Sequence, residues 1–276
     1  MQNKASAAQV RHCFAICAYG ASPYLETCIR SVLSQSAKMP SAVIVCTSTP
    51  NEKIERLCTK YDLPLYVRAG KSGLKDDWNF AVQMAAEKTA AAYVTIAHQD
   101  DRYHPAYTAQ LFRAIQKYKN QLLVFCSHYR TIDANGNEIP GKAEHIKRIL
   151  RIPLHIWPLN TTCFGKRLAL RFGNSIGCPT CTYRIAECGL PLFQNDYAFV
   201  IDWDTLWHLA AKKGRIVCDE HALLDYRIHG GAATKTNIKN HNREREETEL
   251  FCRMWPLPIV RILMHFYKKA YTAYDE

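Results

Sequence analysis

The stretch YVTIAHQDDRYHP, residues 93–105, runs from an apolar segment straight into a cluster of polar and acidic side chains. Tyr93 to Ala97 read as a strand, because a short apolar run bounded by polar residues fits a strand shielded on both faces. His98, Gln99, Asp100 and Asp101 follow at once. An isolated Asp-Asp pair usually opens a solvated loop, so the flanking segments decide its meaning. Upstream, KDDWNFAVQMAAEK is helical in pattern. Downstream, HPAYTAQLFRAIQKYK sets Tyr107, Leu111, Ile115 and Tyr118 on one helical face, and LLVFCSH is a further strand.

Towards the N-terminus the alternation continues. HCFAICAY is a strand, and SPYLETCIRSVLSQ a helix with Ser22 as N-cap, Pro23 in the first turn and Leu25, Ile29, Val32 and Leu33 on one face. AVIVCT is a strand, PNEKIERLCTKY a helix and LPLYVRA a third strand. Strict alternation of strand and helix implies an α/β fold: a mostly parallel, Rossmann-like sheet with helices on both faces. In such sheets ligands bind outside the carboxyl ends of the strands. The His98–Asp101 cluster falls at that edge, which makes its position functional ground.

The second half is less regular. DANGN (133–137) is a turn, KAEHIKRILR a helix, FGNSIGCPTCTYR an irregular stretch entering a short strand, and VIDWDTLWHLAAKKG a helix closed by Gly214. RIVCDEHALLDYRIHG reads as extended segments, and the charged series from Thr236 to Arg253 as a solvated helix. In the tail WPLPIVRILMHFYKKAYTAY, Ile259, Ile262, Leu263 and Phe266 share one helical face while Arg261, Lys268 and Lys269 supply charge. That pattern suits an interfacial helix on anionic lipid, or equally a helix packed on the domain or on a second copy in a homo-oligomer.

Composition limits the classes. The 276 residues are 48% hydrophobic and 22% charged, an ordinary globular mixture, and the formal net charge of +11 favours acidic partners. Much of that charge lies beyond residue 141, and no zinc finger, basic zipper or RNA-recognition signature accompanies it, so nucleic acid is not expected. No apolar run follows the basic residues at the start, and none approaches the roughly 18 residues of a membrane span, so the expectation is a cytoplasmic chain, at most peripheral on a membrane. Twelve cysteines sit within apolar segments, as reduced core thiols do. Cys178 and Cys181 in CPTCTYR would chelate zinc only across a turn. GKSG (70–73) lacks the upstream glycine of a phosphate loop.

Six pieces, taken in order, resemble the family 2 glycosyltransferases of the GT-A fold from about Cys13 to about Thr236: CAYGASPYLETCIRSVLSQ, GLKDDWNFAVQMA, HQDD, GNSIGCPTCTYR, IDWDTLWHLAAKKG and YRIHGGAAT. The resemblance implies a GT-A domain over 1–235, with a nucleotide-sugar half at about 12–130 and an acceptor half at about 131–235, followed by a basic helical extension over 236–276. It implies transfer of a sugar from a nucleotide-diphosphate sugar to an acceptor hydroxyl with inversion, in the synthesis of a surface polysaccharide or glycolipid, the acceptor being a carbohydrate or lipid-linked. A hard cation held by carboxylates would stabilise the diphosphate leaving group.

Residue by residue, the resemblance makes Asp100 the first metal ligand, with Asp101 as ligand or support. His229 would touch metal or diphosphate, and an imidazole in the set moves the expected cation from Mg2+ towards Mn2+. His98 stands where the family often has its first carboxylate. His98 and Gln99, with Ala18, Tyr19, Thr47, Ser48, Lys75, Asp77, Asn79 and Arg227, would line the donor. Thr47 and Ser48 occupy the place of the family's base-reading aspartate, which leaves UDP, GDP and dTDP open. Arg227 would pair with phosphate or with Asp225, and Trp78 reads as core. Asp202, with Ile201 in place of the family's preceding Glu, would be the general base, Asp204 being next in line. Asn174, Thr180 and Trp203 would meet the acceptor. A metal-dependent phosphohydrolase and a non-catalytic carbohydrate- or nucleic-acid-binding protein are the competing readings.

Overall fold

The computed structural model describes residues 11–140, 142–231 and 240–269. Eight strands form one sheet in the order β3-β2-β1-β4-β7-β6-β8-β5. They are β1 (His12–Ala18), β2 (Ala42–Thr47), β3 (Leu65–Val67), β4 (Tyr93–His98), β5 (Arg102–Tyr103), β6 (Leu122–Ile132), β7 (Thr182–Arg184) and β8 (Arg215–Arg227). Strands β3, β2, β1 and β4 pair in parallel, as do β6 and β8. Short antiparallel strands interrupt the pattern: β7 sits between β4 and β6, and β5 lines the edge against β8. The short strand read at the end of FGNSIGCPTCTYR is β7, whereas β5, with two residues, is too short to carry a periodic signal and was not anticipated.

Side-chain alternation along β1 builds two cores. Phe14, Ile16 and Ala18 point to one face, where α1 (Leu25–Leu33), α2 (Glu52–Lys60) and α4 (Tyr107–Tyr118) bring Leu25, Ile29, Ile54, Leu57 and Leu111. Cys13 and Ala15 point to the other, where α3 (Leu74–Thr89) brings Trp78, Ala81, Val82 and Ala85. The same face is covered by α8 (Ile201–Leu209) and by two helices from the end of the chain, α9 (Asn242–Met254) and α10 (Leu257–Lys269). Between β6 and β8 lie α5 (Lys142–His155), α6 (Cys163–Leu168) and α7 (Ile185–Cys188). No helix among the described residues is long and apolar enough to cross a membrane.

Three local expectations are corrected. Ser22 does not cap α1: the helix starts at Leu25 after Tyr24, and the Ser22 hydroxyl instead accepts from the Tyr24 N–H and donates to Asp100. The charged series before Arg253 is not solvated. Arg243, Glu246, Glu247, Leu250, Phe251 and Met254 recur at helical spacing, and that whole face of α9 is buried. The tail helix α10 also packs on the domain, but by a face rotated from the expected one: Val260, Leu263, Met264 and Tyr267 join the core, while Leu257, Ile259, Ile262 and Phe266 remain exposed. Residues 232–239 and 270–276 lie outside the described residues.

Candidate active site

The carboxyl ends of β1, β2 and β4 lie side by side, so the loops that follow them meet. Gln99 joins two of them, accepting from the Tyr19 N–H through Oε1 and donating to the Tyr19 carbonyl through Nε2, both at 2.9 Å. The Gly20 N–H donates to Thr49 Oγ1 at 2.8 Å, and Thr47 Oγ1 accepts from the Thr49 N–H, which ties in the third loop. Gly20 takes φ +57°, the left-handed conformation that glycine adopts without strain and that this turn requires.

Against this frame stands a cavity of about 360 Å3 lined by Tyr19, Ser22, Tyr24, Asp100 and His229. Asp100 presents a carboxylate that is 27% exposed, steadied by the Ser22 hydroxyl at 3.0 Å. His229 Nε2 lies 3.2 Å from Asp100 Oδ2, is buried, and has no hydrogen-bond partner among the described residues. Asp101 is turned inward at 2% exposure, with Oδ1 accepting from the Arg227 N–H and Oδ2 unpartnered. Burial pushes its carboxyl well above the usual carboxylate range. Two adjacent acids therefore do different things: Asp100 faces the cleft, and Asp101 pins β8 to the end of β4. A carboxylate and an imidazole 3.2 Å apart, converging on one cavity, suit a divalent cation such as Mn2+ or Mg2+.

Arg227 acts as a strut. Its side chain donates to the backbone carbonyls of Asp100, Asp133 and Ala134 and lies 4.5 Å from the centre of the Tyr24 ring. Asp225 pairs with Arg102 and Arg130 instead of Arg227. His98 stacks on Trp78 at 5.1 Å, and burial pulls its imidazole down to about 4, so it is neutral near pH 7. Ala18 and Thr47 end β1 and β2, both buried. Asp77 accepts from Arg68 Nε at 2.7 Å and Ser48 Oγ at 2.9 Å, which joins the ends of β2 and β3 to α3. Lys75 pairs with Asp196 at 2.8 Å, and Asn79 commits both halves of its amide to the Phe193 backbone. These last two link the first half of the chain to the second.

In the second half of the chain, Asp202 lies in the first turn of α8 at 8% exposure, and Asn174 Nδ2 donates to its Oδ2 at 3.0 Å. Burial raises the Asp202 carboxyl above the ordinary range, against the hydrogen bond from Asn174 that lowers it. Asp204 is engaged elsewhere, with Arg253 at 2.7 Å and His208 at 3.3 Å. Thr180 and Trp203 are buried at 0% and 1% exposure, the indole N–H donating to the Leu170 carbonyl.

Two supports had no counterpart in the sequence reading. Glu246 of α9 accepts from the N–H groups of Ala198, Phe199 and Val200 at 2.8–3.3 Å, holding the loop that enters α8 and its N-cap residue and placing negative charge at the positive end of that helix. The Tyr267 hydroxyl of α10 accepts from the Asn174 N–H at 3.0 Å, and its ring stacks on Trp203. Gly173 makes room for that hydroxyl, since a Cβ at its φ of +146° would collide with it. The buried spacing of Leu250, Phe251 and Met254 was the one available signal for α9, while nothing local marks Glu246 as a remote support.

The sequence model described as Glycosyl transferase family 2 matches residues 13–187, so the chain belongs to that family. No curated protein sequence matches it significantly. Among solved structures it is similar to S. aureus TarS 1-349 in complex with UDP-GlcNAc, with a TM-score of 0.60 at 16% identity, covering 81% of this chain and 60% of that one. It is also similar to the mannosyltransferase PcManGT from Pyrobaculum calidifontis in complex with GDP-Man and Mn2+, with a TM-score of 0.63 at 13% identity, covering 92% of this chain and 68% of that one. The chain thus spans about three fifths of the length of the TarS fragment. At these identities the likeness is one of fold, a GT-A-like α/β architecture.

Proposed function

We propose that the chain is a cation-dependent, inverting glycosyltransferase that moves a sugar from a nucleotide-diphosphate donor to an acceptor hydroxyl. The observation that carries this reading is the pairing of Asp100 with His229 over the cavity at the end of β4. Both neighbouring complexes hold nucleotide sugars, one of them with Mn2+, which supports the donor class and leaves the nucleotide among UDP, GDP and dTDP.

In this reading Asp100 and His229 hold Mn2+ or Mg2+, which would offset the charge of the departing nucleoside diphosphate. Tyr19 and its clamp Gln99, with Ser48, line the donor. Asp202 takes the acceptor hydroxyl proton as that oxygen attacks, and its raised carboxyl makes it the better base. Asn174 holds the Asp202 carboxylate in orientation. Residues 12–130 then serve as the donor half and 131–235 as the acceptor half, with the segment from 236 closing over the acceptor half. A lipid-linked acceptor suits the exposed Leu257, Ile259, Ile262 and Phe266 on α10 beside Arg261.

The test is thermal unfolding with UDP, GDP and dTDP, each with and without Mn2+, since a ligand bound only by the native state raises Tm. One nucleotide should raise Tm in a Mn2+-dependent way, and Asp100→Ala should remove that increment. An increment that ignores Mn2+ and survives Asp100→Ala would overturn the reading.

A further inference from the structure

A second cluster lies on the same two strands, far from the donor cleft. Cys126 of β6 stands directly opposite Cys218 of β8. Nine residues separate Cys218 from Arg227 along β8, roughly 25–30 Å of strand. His128 shares the face of Cys126 by strand periodicity, and His155, the last residue of α5, stacks its ring on that of His128 at 5.7 Å and 18°. One ligand atom each from His128, His155 and Cys218 lies within 4.8 Å of the others, the group of three metal-type ligands that occurs among the described residues. Beside it opens a cavity of about 330 Å3 whose lining includes His155, Cys218, Asp219 and His221.

The chemistry of the cluster is that of a ligand set. Cys218 Sγ donates to the Asp219 carbonyl at 3.6 Å, and its thiol is drawn below the ordinary thiol range by the neighbouring Cys126 first, then by His155, Arg151 and His128, against burial. A cysteine binds metal as its thiolate, the form these surroundings favour. His128 Nδ1 accepts from Arg151 Nη2 at 3.0 Å, with Glu144 Oε1 3.6 Å away, so a metal would bind at Nε2 in exchange for its proton. Nδ1 accepts from Arg151, whose guanidinium can only donate, and Glu144 supports the ring indirectly by holding Arg151. Arg151 stays anchored on Glu144 and on the Ser175 carbonyl.

We propose that His128, His155 and Cys218 form a binding site for one zinc-like divalent cation, with the fourth position open to the adjoining cavity. A thiolate with two imidazoles selects a borderline-soft cation over Mg2+, whereas the pair at Asp100 and His229 offers no sulfur, so the two sites take different metals. Tetrahedral ligation at about 2.0–2.3 Å brings ligand atoms to about 3.4–3.8 Å of one another. The contraction required is small, and half-buried His155 at the end of α5 is the group able to make it.

The proposal is tested on the full chain with the two exposed cysteines replaced, Cys163→Ser and Cys252→Ser. After chelator treatment and under a phosphine reductant, cobalt(II) is titrated in. One equivalent should bind with a thiolate-to-cobalt charge-transfer band and intense tetrahedral visible bands, and zinc should bleach both. Cys218→Ser should abolish the charge-transfer band, His155→Ala should weaken cobalt affinity tenfold or more, and Asp100→Ala should leave both unchanged. Absence of the band, or its survival in Cys218→Ser, overturns the site. Should Cys218→Ser fail to fold by circular dichroism, His155→Ala decides alone, and unchanged affinity in it is equally fatal.

Discussion

Asp100 stands just past the end of β4, and its supports come from the ends of other strands of the same sheet: Ser22 after β1, and His229 and Arg227 at the end of β8. Asp202 has a different kind of support. The loop entering its helix is held by Glu246, 46–48 residues further along the chain, and its partner Asn174 is held through Tyr267, 93 residues away. The first carboxylate is placed by sheet topology, the second by helices that return from the end of the chain. In the proposed reading, damage to those helices should fall on transfer to the acceptor, and damage to the strand-end loops on donor binding.

The largest effect should come from truncation after Arg253. It removes Met254, Val260 and Met264, at 3–7% exposure, together with Tyr267. Each buried side chain of this size contributes about 2–5 kcal/mol against a total stability of about 5–15 kcal/mol. The truncated chain should lose transfer altogether and drop in Tm by about 10 °C or more, measured by calorimetry. A fully active, thermally unchanged product would break the comparison.

Asp202→Asn should come next, lowering kcat by roughly a hundredfold or more while donor affinity stays within about twofold. Its pH profile supplies a second check. Because burial raises the Asp202 carboxyl, the base is protonated, and activity lost, as pH falls through a value above the ordinary carboxylate range, about 3.9 for Asp. Wild-type kcat should show that acidic limb and Asp202→Asn should lack it.

Glu246→Ala sharpens the contrast at smaller scale. Losing a side-chain acceptor at a helix entrance costs about 0.5–2 kcal/mol, and leaving buried N–H groups unpaired adds about 1–3 kcal/mol. Denaturant unfolding should report a loss of about 2–4 kcal/mol, with kcat falling several-fold and nucleotide Kd unchanged. A loss of nucleotide binding without loss of kcat would reverse the assignment of the two sides.

The smallest stability effect is expected at the exposed face of α10. Ile262→Glu is 59% exposed in the wild type and should change stability by no more than about 0.5 kcal/mol. In vesicle co-sedimentation it should nonetheless weaken binding to anionic lipid. Unaltered binding would remove α10 from the membrane reading without touching the catalytic one.

The edge at the end of β4 was largely legible beforehand because its information is short-range. Apolar runs of strand length, helical periodicities between them and acids at a strand end identify the edge where Asp100, His98 and Gln99 lie. Even there, partner choice was hidden: Ser22 has the chemistry of an N-cap, and only the nearness of Asp100 turned its hydroxyl to the carboxylate. Asn79 and Lys75 look like ligand-facing residues of an α/β crevice, yet their polar atoms are spent on Phe193 and Asp196, more than 100 residues away.

By itself the sequence determined the alternating α/β core of the first 130 residues, the edge at which a ligand would sit and the acidic cluster placed there. These follow from the twofold and 3.6-fold periods of strand and helix and from the crevice rule for parallel sheets. The tertiary structure alone decided that the charged helix α9 is buried, that Glu246 holds the loop entering α8, that Trp203 and Thr180 lie in the core, and that Cys218 meets two histidines. The physical reason is that burial and hydrogen bonding depend on what the fold sets opposite a residue. A glutamate that reads as solvated becomes the support of a loop once three backbone N–H groups face it, and no local pattern records where those groups will be.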